Sequence, residues 1–238
     1  MDRGRRSFLG LVGGAAAAVA APAVLRAATD PKAVYFSGTV TDNGHVFRAT
    51  NFSKIAPEWR RQLVRYESPE PQGSVVVDTE RNFLYVIFEN QTALRYGVGV
   101  GKEGFKWYGR AQIQRKALWP RWVPPAAMLA RRPELPPFMD GGPDNPLGPR
   151  AMYLYRDGKD LGYRIHGTTE PWSIGHDVSS GCVRMFPEDV IDLYQRCPIG
   201  TRVLVLKHLG APVVDEQAEA DRIWQQLQQS KQQQQQQQ

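Results

Sequence analysis

Gly73-Ser74-Val75-Val76-Val77-Asp78, then Phe83-Leu84-Tyr85-Val86-Ile87-Phe88, then Leu94 to Val100, are three short runs of β-branched, aromatic and aliphatic residues. Each is four to eight residues long and is bounded by turn-forming residues, the pattern of buried strands rather than helices. Glu89-Asn90-Gln91 supplies a hairpin turn between the second and third. Strand character returns at Ala111–Leu118, Ala151–Tyr155, Tyr163–His166 and Arg202–Leu206. One solid helix, Pro187–Arg196, lies among them, with Glu188 and Asp189 at its positive N-terminal end. A chain of this kind is mainly β, a β-sandwich or barrel-like domain with one or two short helices.

Outward from these runs the pattern changes. Trp119–Pro149 holds nine of the 18 prolines and a short helical piece at Ala126–Arg132. A loop of that length inside a compact domain is functional or disordered, and Trp119, Trp122 and Phe138 favour packing. Residues 29–72 read as an irregular N-terminal extension or linker. They contain a strand-like piece near Val34–Val40 and a helical start at Pro57. Beyond Leu206, residues 208–238 read as an exposed helix running into the Gln-rich tail Gln232–Gln238, too polar to fold alone.

Residues 1–28 read as a signal peptide. Arg5-Arg6-Ser7-Phe8-Leu9 precedes an apolar stretch, Leu11–Ala21, that is too short to span a bilayer, and small residues follow. The paired arginines resemble a twin-arginine export signal. This places the mature protein in the periplasm with no stable membrane span after processing. Half of the net charge of +6 comes from this leader, where Arg3, Arg5, Arg6 and Arg26 face Asp2 alone. The remainder is too balanced to argue for nucleic acid, and no nucleic-acid-reading motif is present.

Cys182 and Cys197 are the only cysteines. A disulfide is the ordinary reading in an oxidising compartment, but their surroundings differ. Cys182 sits in a loop of small and polar residues, whereas Cys197 ends the Pro187–Arg196 helix and reads as a small buried apolar side chain. Two cysteines and four scattered histidines offer no zinc spacing.

The segment that carries chemistry is Tyr163-Arg164-Ile165-His166-Gly167-Thr168, with Ser179-Ser180-Gly181-Cys182-Val183-Arg184-Met185 further on. A thiol is a strong nucleophile as its thiolate, and an imidazole that takes its proton makes it one. Gly181 suits a turn whose N–H groups, including that of Cys182, point at a developing oxyanion. From spacing alone, a catalytic pair and a structural pair both remain open.

The two-part motif His-Gly-Thr … Ser-x-Gly-Cys-Val-Arg-Met resembles the active-site signature of L,D-transpeptidases (the YkuD-type domain). Val76-Val77-Asp78, Leu84-Tyr85-Val86, Gly97–Lys102 and Asn145-Pro146-Leu147-Gly148 resemble that domain in the same order, so the likeness spans about residues 73–207. It implies an L,D-transpeptidase-like β-sandwich with Cys182 as nucleophile and His166 as base. It also implies that the Gly167 carbonyl holds the second imidazole nitrogen, and that Ser179, Ser180 and Gly181 support the oxyanion loop. Ser180 stands where the commoner motif has histidine. Arg184 is implied either as a ligand for an acidic group of the substrate or as a brace for its loop. Trp172, and less strongly Trp107 and Tyr108, are candidates for substrate contact. His176 reads as an exposed loop residue.

The implied substrates are peptidoglycan stem peptides, with carbapenems as covalent inhibitors and no cofactor. The implied products are 3→3 cross-links or a protein attached to the wall. A hydrolase using the same thioester and a non-catalytic wall-binding module are the rival readings.

Overall fold

The computed structural model describes residues 30–102 and 107–206. The leader (1–28) and the C-terminal helix and tail (208–238) lie outside the described residues. The chain divides into Met1–Asp30 and Pro31–Gln238, and every element below belongs to the second unit.

In chain order the strands and helices are β1 (Phe36–Asp42), β2 (His45–Thr50), β3 (Gln62–Arg65), β4 (Val75–Asp78), β5 (Phe83–Ile87), β6 (Thr92–Gly97), β7 (Val100–Gly101) and β8 (Gly109–Leu118). Then come α1 (Ala126–Arg131), β9 (Arg150–Arg156), β10 (Lys159–His166), β11 (Asp177–Ser179), β12 (Val183–Arg184), α2 (Pro187–Arg196) and β13 (Arg202–Val205). Nine strands form one sheet in the order β12-β10-β9-β8-β13-β4-β5-β6-β3, while β1–β2 and β7–β11 are separate pairs. Pairing in the large sheet is antiparallel except for β10 with β12 and β13 with β4.

The mainly β reading holds, and the sandwich-like character has a simple cause. One core cluster draws Val75 and Val77 from β4, Leu84 from β5, Ile113 from β8, Leu154 from β9 and Ile165 from β10, with Val190 and Leu193 of α2. Residues so far apart in one sheet meet only if the sheet curls over itself, with α2 filling the concave side. The alternate residues of β4 and β5, Val76, Phe83, Tyr85 and Ile87, form a second cluster on the outer face. Burial on both faces explains why these strands read as continuous apolar runs. The β5–β6 turn lies where expected, with Asn90 and Gln91 both at φ 57°, as a two-residue hairpin turn demands.

In residues 29–72 the strand-like piece near Val34–Val40 is matched by β1 and the helical start at Pro57 by a 3-10 turn, Pro57–Trp59, but the irregular reading of the segment is corrected. β1 and β2 form a hairpin closed by Asn43-Gly44, both at positive φ, and β3 pairs with β6 as the last strand of the large sheet. The segment is tied to α2: the Thr50 N–H and Oγ1 donate to the two Glu188 oxygens at 2.7 and 2.8 Å, and Arg61 reaches Asp192 at 2.9 Å. The Pro-rich loop is pinned by buried Asn145, whose Nδ2 donates to the carbonyls of Pro120 and Asp140 at 3.0 Å each. Its first residue, Trp119, donates from Nε1 to Asp42 on β1.

Candidate active site

The site forms at one end of the large sheet. β10 and β12 run parallel with Ile165 beside Val183 and His166 beside Arg184. Ile165 and Val183 are buried in the core. Side chains alternate along a strand, so Arg164, His166, Cys182 and Arg184 are turned to the opposite face. With strands 4.8 Å apart and a rise of 3.3 Å per residue, a cysteine two positions before the partner of His166 has its Cα about 8 Å from the histidine's. The two side chains thus leave the same face of the sheet on neighbouring strands.

His166 is buried at 5% exposure, and its Nδ1 lies 2.6 Å from the Gly167 carbonyl oxygen. A carbonyl only accepts, so Nδ1 carries the proton and Nε2 keeps its lone pair. Burial, with the Arg184 charge adding to it, pushes the imidazole down to about 4. The ring is therefore neutral at pH 7. Gly167 has no room for a side chain: a Cβ there would lie 2.9 Å from Pro149 Cδ and 3.1 Å from Val190 Cγ1. The turn that presents the imidazole is wedged between the end of the Pro-rich loop and α2.

Cys182 is a free, partly exposed thiol. Ser179 shapes its loop from below. Its Oγ donates to the Cys182 carbonyl at 2.6 Å and accepts from the Gly181 N–H at 3.1 Å. Gly181 has φ 106°, in the region that favours glycine. With its N–H engaged by Ser179, Gly181 braces the turn; Ser180 faces solvent. Burial raises the thiol, while a backbone hydrogen bond at Arg164 and the Arg164 and Arg184 charges oppose the rise. Thiol and imidazole both rest uncharged, and the arrangement suits proton transfer in step with attack.

The remaining singled-out residues have these surroundings, with His176 and Cys197 lying as expected. Arg184 forms an ion pair with Glu170 at 2.8 Å, which braces the loop after His166. The Trp172 ring packs on Tyr35 and Phe36 with Lys32 over it at 4.2 Å, so it meets the N-terminal segment. Trp107 stacks on Tyr163 at the margin of the core, Tyr108 is exposed and His176 is exposed. Cys197 is buried in the core and free.

Two neighbours escaped the motif reading. Arg164, whose alternation with Ile165 already puts it on the face of Cys182, acts on both thiol and imidazole. Glu170 has no sequence signal beyond its place in the connecting loop. Among the described residues no group of three or more His, Cys, Asp or Glu could hold a metal ion. No helix among them is long and apolar enough to cross a membrane.

The sequence model described as YkuD, L,D-transpeptidase catalytic domain, matches residues 72–205. The putative L,D-transpeptidase YqjB of Bacillus subtilis (strain 168) is 35% identical over 162 residues, covering 67% of this chain and 84% of that one. A putative L,D-transpeptidase from an ATP synthase subunits region of Fuscovulum blasticum is 43% identical over 98 residues, 41% of this chain and 49% of its own. A solved structure from Brucella melitensis, described as a probable carnitine operon oxidoreductase, is 44% identical. It covers 69% of this chain and 98% of that one, with a TM-score of 0.44. This chain spans about half the length of several curated relatives it matches.

Proposed function

Since the chain belongs to the L,D-transpeptidase catalytic domain family, we infer that it is a cysteine acyltransferase acting on peptidoglycan stem peptides through a thioester on Cys182. Sγ attacks the carbonyl at the third residue of a tetrapeptide stem. The proton on Sγ passes to Nε2 of His166 as the S–C bond forms. The C–N bond to the terminal D-alanine then breaks, and the imidazolium returns the proton to the leaving amine. A side-chain amine of a second stem attacks the thioester carbonyl, His166 takes its proton, and the C–S bond breaks as Sγ regains a proton, giving a 3→3 cross-link; an amine of a protein would give wall attachment instead.

The observation that carries this reading is the His166 Nδ1 contact with Gly167 at 2.6 Å. It supports the tautomer that leaves the Nε2 lone pair available as the base, on the face where Cys182 emerges. Gly167, Ser179 and Gly181 hold the two turns in place, and Ser180 lines the open side of the nucleophile loop. Arg184, paired with Glu170, braces the loop that follows His166. The Arg5-Arg6 leader supports export by a twin-arginine-type route to the periplasm, where stem peptides are found.

Carbapenems, as acyl-donor mimics, acylate Cys182. Intact-protein mass spectrometry with meropenem tests this: the wild type gains one adduct and Cys182→Ala gains none. A Cys182→Ala protein that still gains the adduct defeats the assignment. Muropeptide analysis then separates the product classes, since new dimers signify transfer and trimmed stems alone signify hydrolysis.

A further inference from the structure

The face of the sheet that carries Cys182 continues well beyond the catalytic pair. Residues directly opposite one another in paired strands share a face. Level with Cys182 comes Arg164 on β10, then its partner Tyr153 on β9, then Arg115 on β8. The Tyr153 ring is clasped between two guanidinium groups, Arg115 at 3.8 Å and Arg164 at 4.4 Å from its centroid. One row further, Tyr155 lies opposite Gln112, which lies opposite Arg202 on β13. There Arg110, Gln112, Tyr155, Arg156 and Arg202 help to line a concavity of about 420 Å³, with Asp157 as its one carboxylate.

Two cations of this face already hold carboxylates of the protein in two-pronged pairs. Arg110 grips Glu70 with both contacts at 2.7 Å, and Arg164 grips Asp160 at 2.7 and 2.9 Å. Arg115, Arg156 and Arg202 are exposed and form no ion pair with a described residue. The outer face is thus apolar at its β4–β5 end and cationic from β13 to β10. Arg115 covers Tyr153 and Arg156 donates from Nε to the Arg110 carbonyl at 2.9 Å, so both keep part of their donors free, and with Arg202 they are spread along the face rather than converging on one point. That arrangement fits a chain bearing carboxylates at intervals better than one compact polyanion, because a planar guanidinium pairs with a carboxylate edge to edge.

We propose that the arginine face formed by β13, β8, β9 and β10 is a docking track for an extended, carboxylate-bearing peptide chain that leads to Cys182. Four strand spacings separate β13 from β12, about 19 Å, which an extended peptide covers in about six residues. Identification of that chain with a wall peptide rests on the function proposed above; the binding itself does not.

Fluorescence anisotropy of labelled poly-L-glutamate with the full chain tests the track directly. The wild type binds and weakens as salt rises. Arg156→Gln/Arg202→Gln binds about tenfold more weakly, for loss of two charge-assisted contacts, while its Cys182 gains the meropenem adduct at the wild-type rate. Arg156→Lys/Arg202→Lys keeps the charge but loses the fork and falls between the two. Wild-type affinity in the Gln variant, or tighter binding of polyphosphate than of polyglutamate, overturns the proposal. Should the double variant melt early, Arg202→Gln alone, an exposed change at the start of β13, carries the same test with a smaller loss. A wild type that binds polyglutamate but never gains the adduct removes the catalytic reading and leaves the track standing.

Discussion

The two cysteines occupy opposite surroundings, and the contrast bears on the nucleophile role proposed for Cys182. Cys197 ends α2 inside the core, beside Lys116, whose Nζ donates to the Tyr194 and Cys197 carbonyls at 2.6 and 2.7 Å. Burial pushes its thiol up to about 12. Burial raises the Cys182 thiol as well, so a depressed pKa is not what separates them. The difference lies in what stands nearby. Cys182 is partly exposed on the sheet face that carries a neutral imidazole with its lone pair fixed. Cys197 has a cation, no base and no path to solvent. On the proposed function, reactivity follows from the positioned base and from access, not from a resting thiolate.

The sharpest way to break this contrast is to exchange the reactive positions. Cys182→Ala abolishes acylation while Cys197→Ala keeps it, read as adduct formation; labelling that persists in Cys182→Ala and vanishes in Cys197→Ala reverses the assignment. Next in size is His166→Gln, which keeps a polar side chain but lacks the base. Acylation slows by roughly 10²–10⁴, the usual worth of a general base, measured as the second-order rate of meropenem inactivation. A loss under threefold would mean that Cys182 needs no base.

The pH profile sharpens the same point. With the imidazole depressed to about 4, it remains a competent base well below its ordinary titration range. The acid limb of the inactivation rate accordingly sits near pH 4, with the rate falling about tenfold per unit below it. A limb near 6.5 would show that the ring is not held neutral by burial. Linkage gives the matching sign for stability. The folded-state pKa lies below the unfolded one, so the His166 contribution is fully present above about 6.5. It is lost as pH falls toward 4.

How much of this was legible beforehand depended on whether a signal was local. α2 was bounded correctly by Pro187 and Arg196 because proline at the first turn and acids beside it are local signals. The apolar runs gave β4 and β5 for the same reason. The motif brought Cys182 and His166 forward, but their common face became visible only with the β10–β12 register, a pairing between segments separated in sequence. The pairing of the N-terminal hairpin is not legible from the strand-like piece near Val34–Val40 alone, although Asn43-Gly44 between Asp42 and His45 is a strong two-residue turn signal. In its strands only Phe47 and Thr50 are buried, so they lack the apolar runs that mark β4 and β5. The partners of Trp172 and Arg184 come from Tyr35, Phe36 and Glu170. No property of the tryptophan or arginine alone points to them.

The smallest expected effect tests the structural half of the contrast. Cys197 touches the core and is fully buried, so its sulfur contributes packing, and Cys197→Ala leaves a small void worth about 1 kcal/mol. Cys197→Ser keeps the volume closer but places a hydroxyl among apolar neighbours. The two carbonyls nearby already accept from Lys116, so the hydroxyl gains little there and costs about 1–3 kcal/mol. Serine should therefore lower the melting temperature more than alanine, with meropenem acylation at the wild-type rate in both. If serine proves the milder change, residue 197 has access to a hydrogen-bonding partner or to water. The pocket around it would then be more like that of Cys182 than the core packing implies.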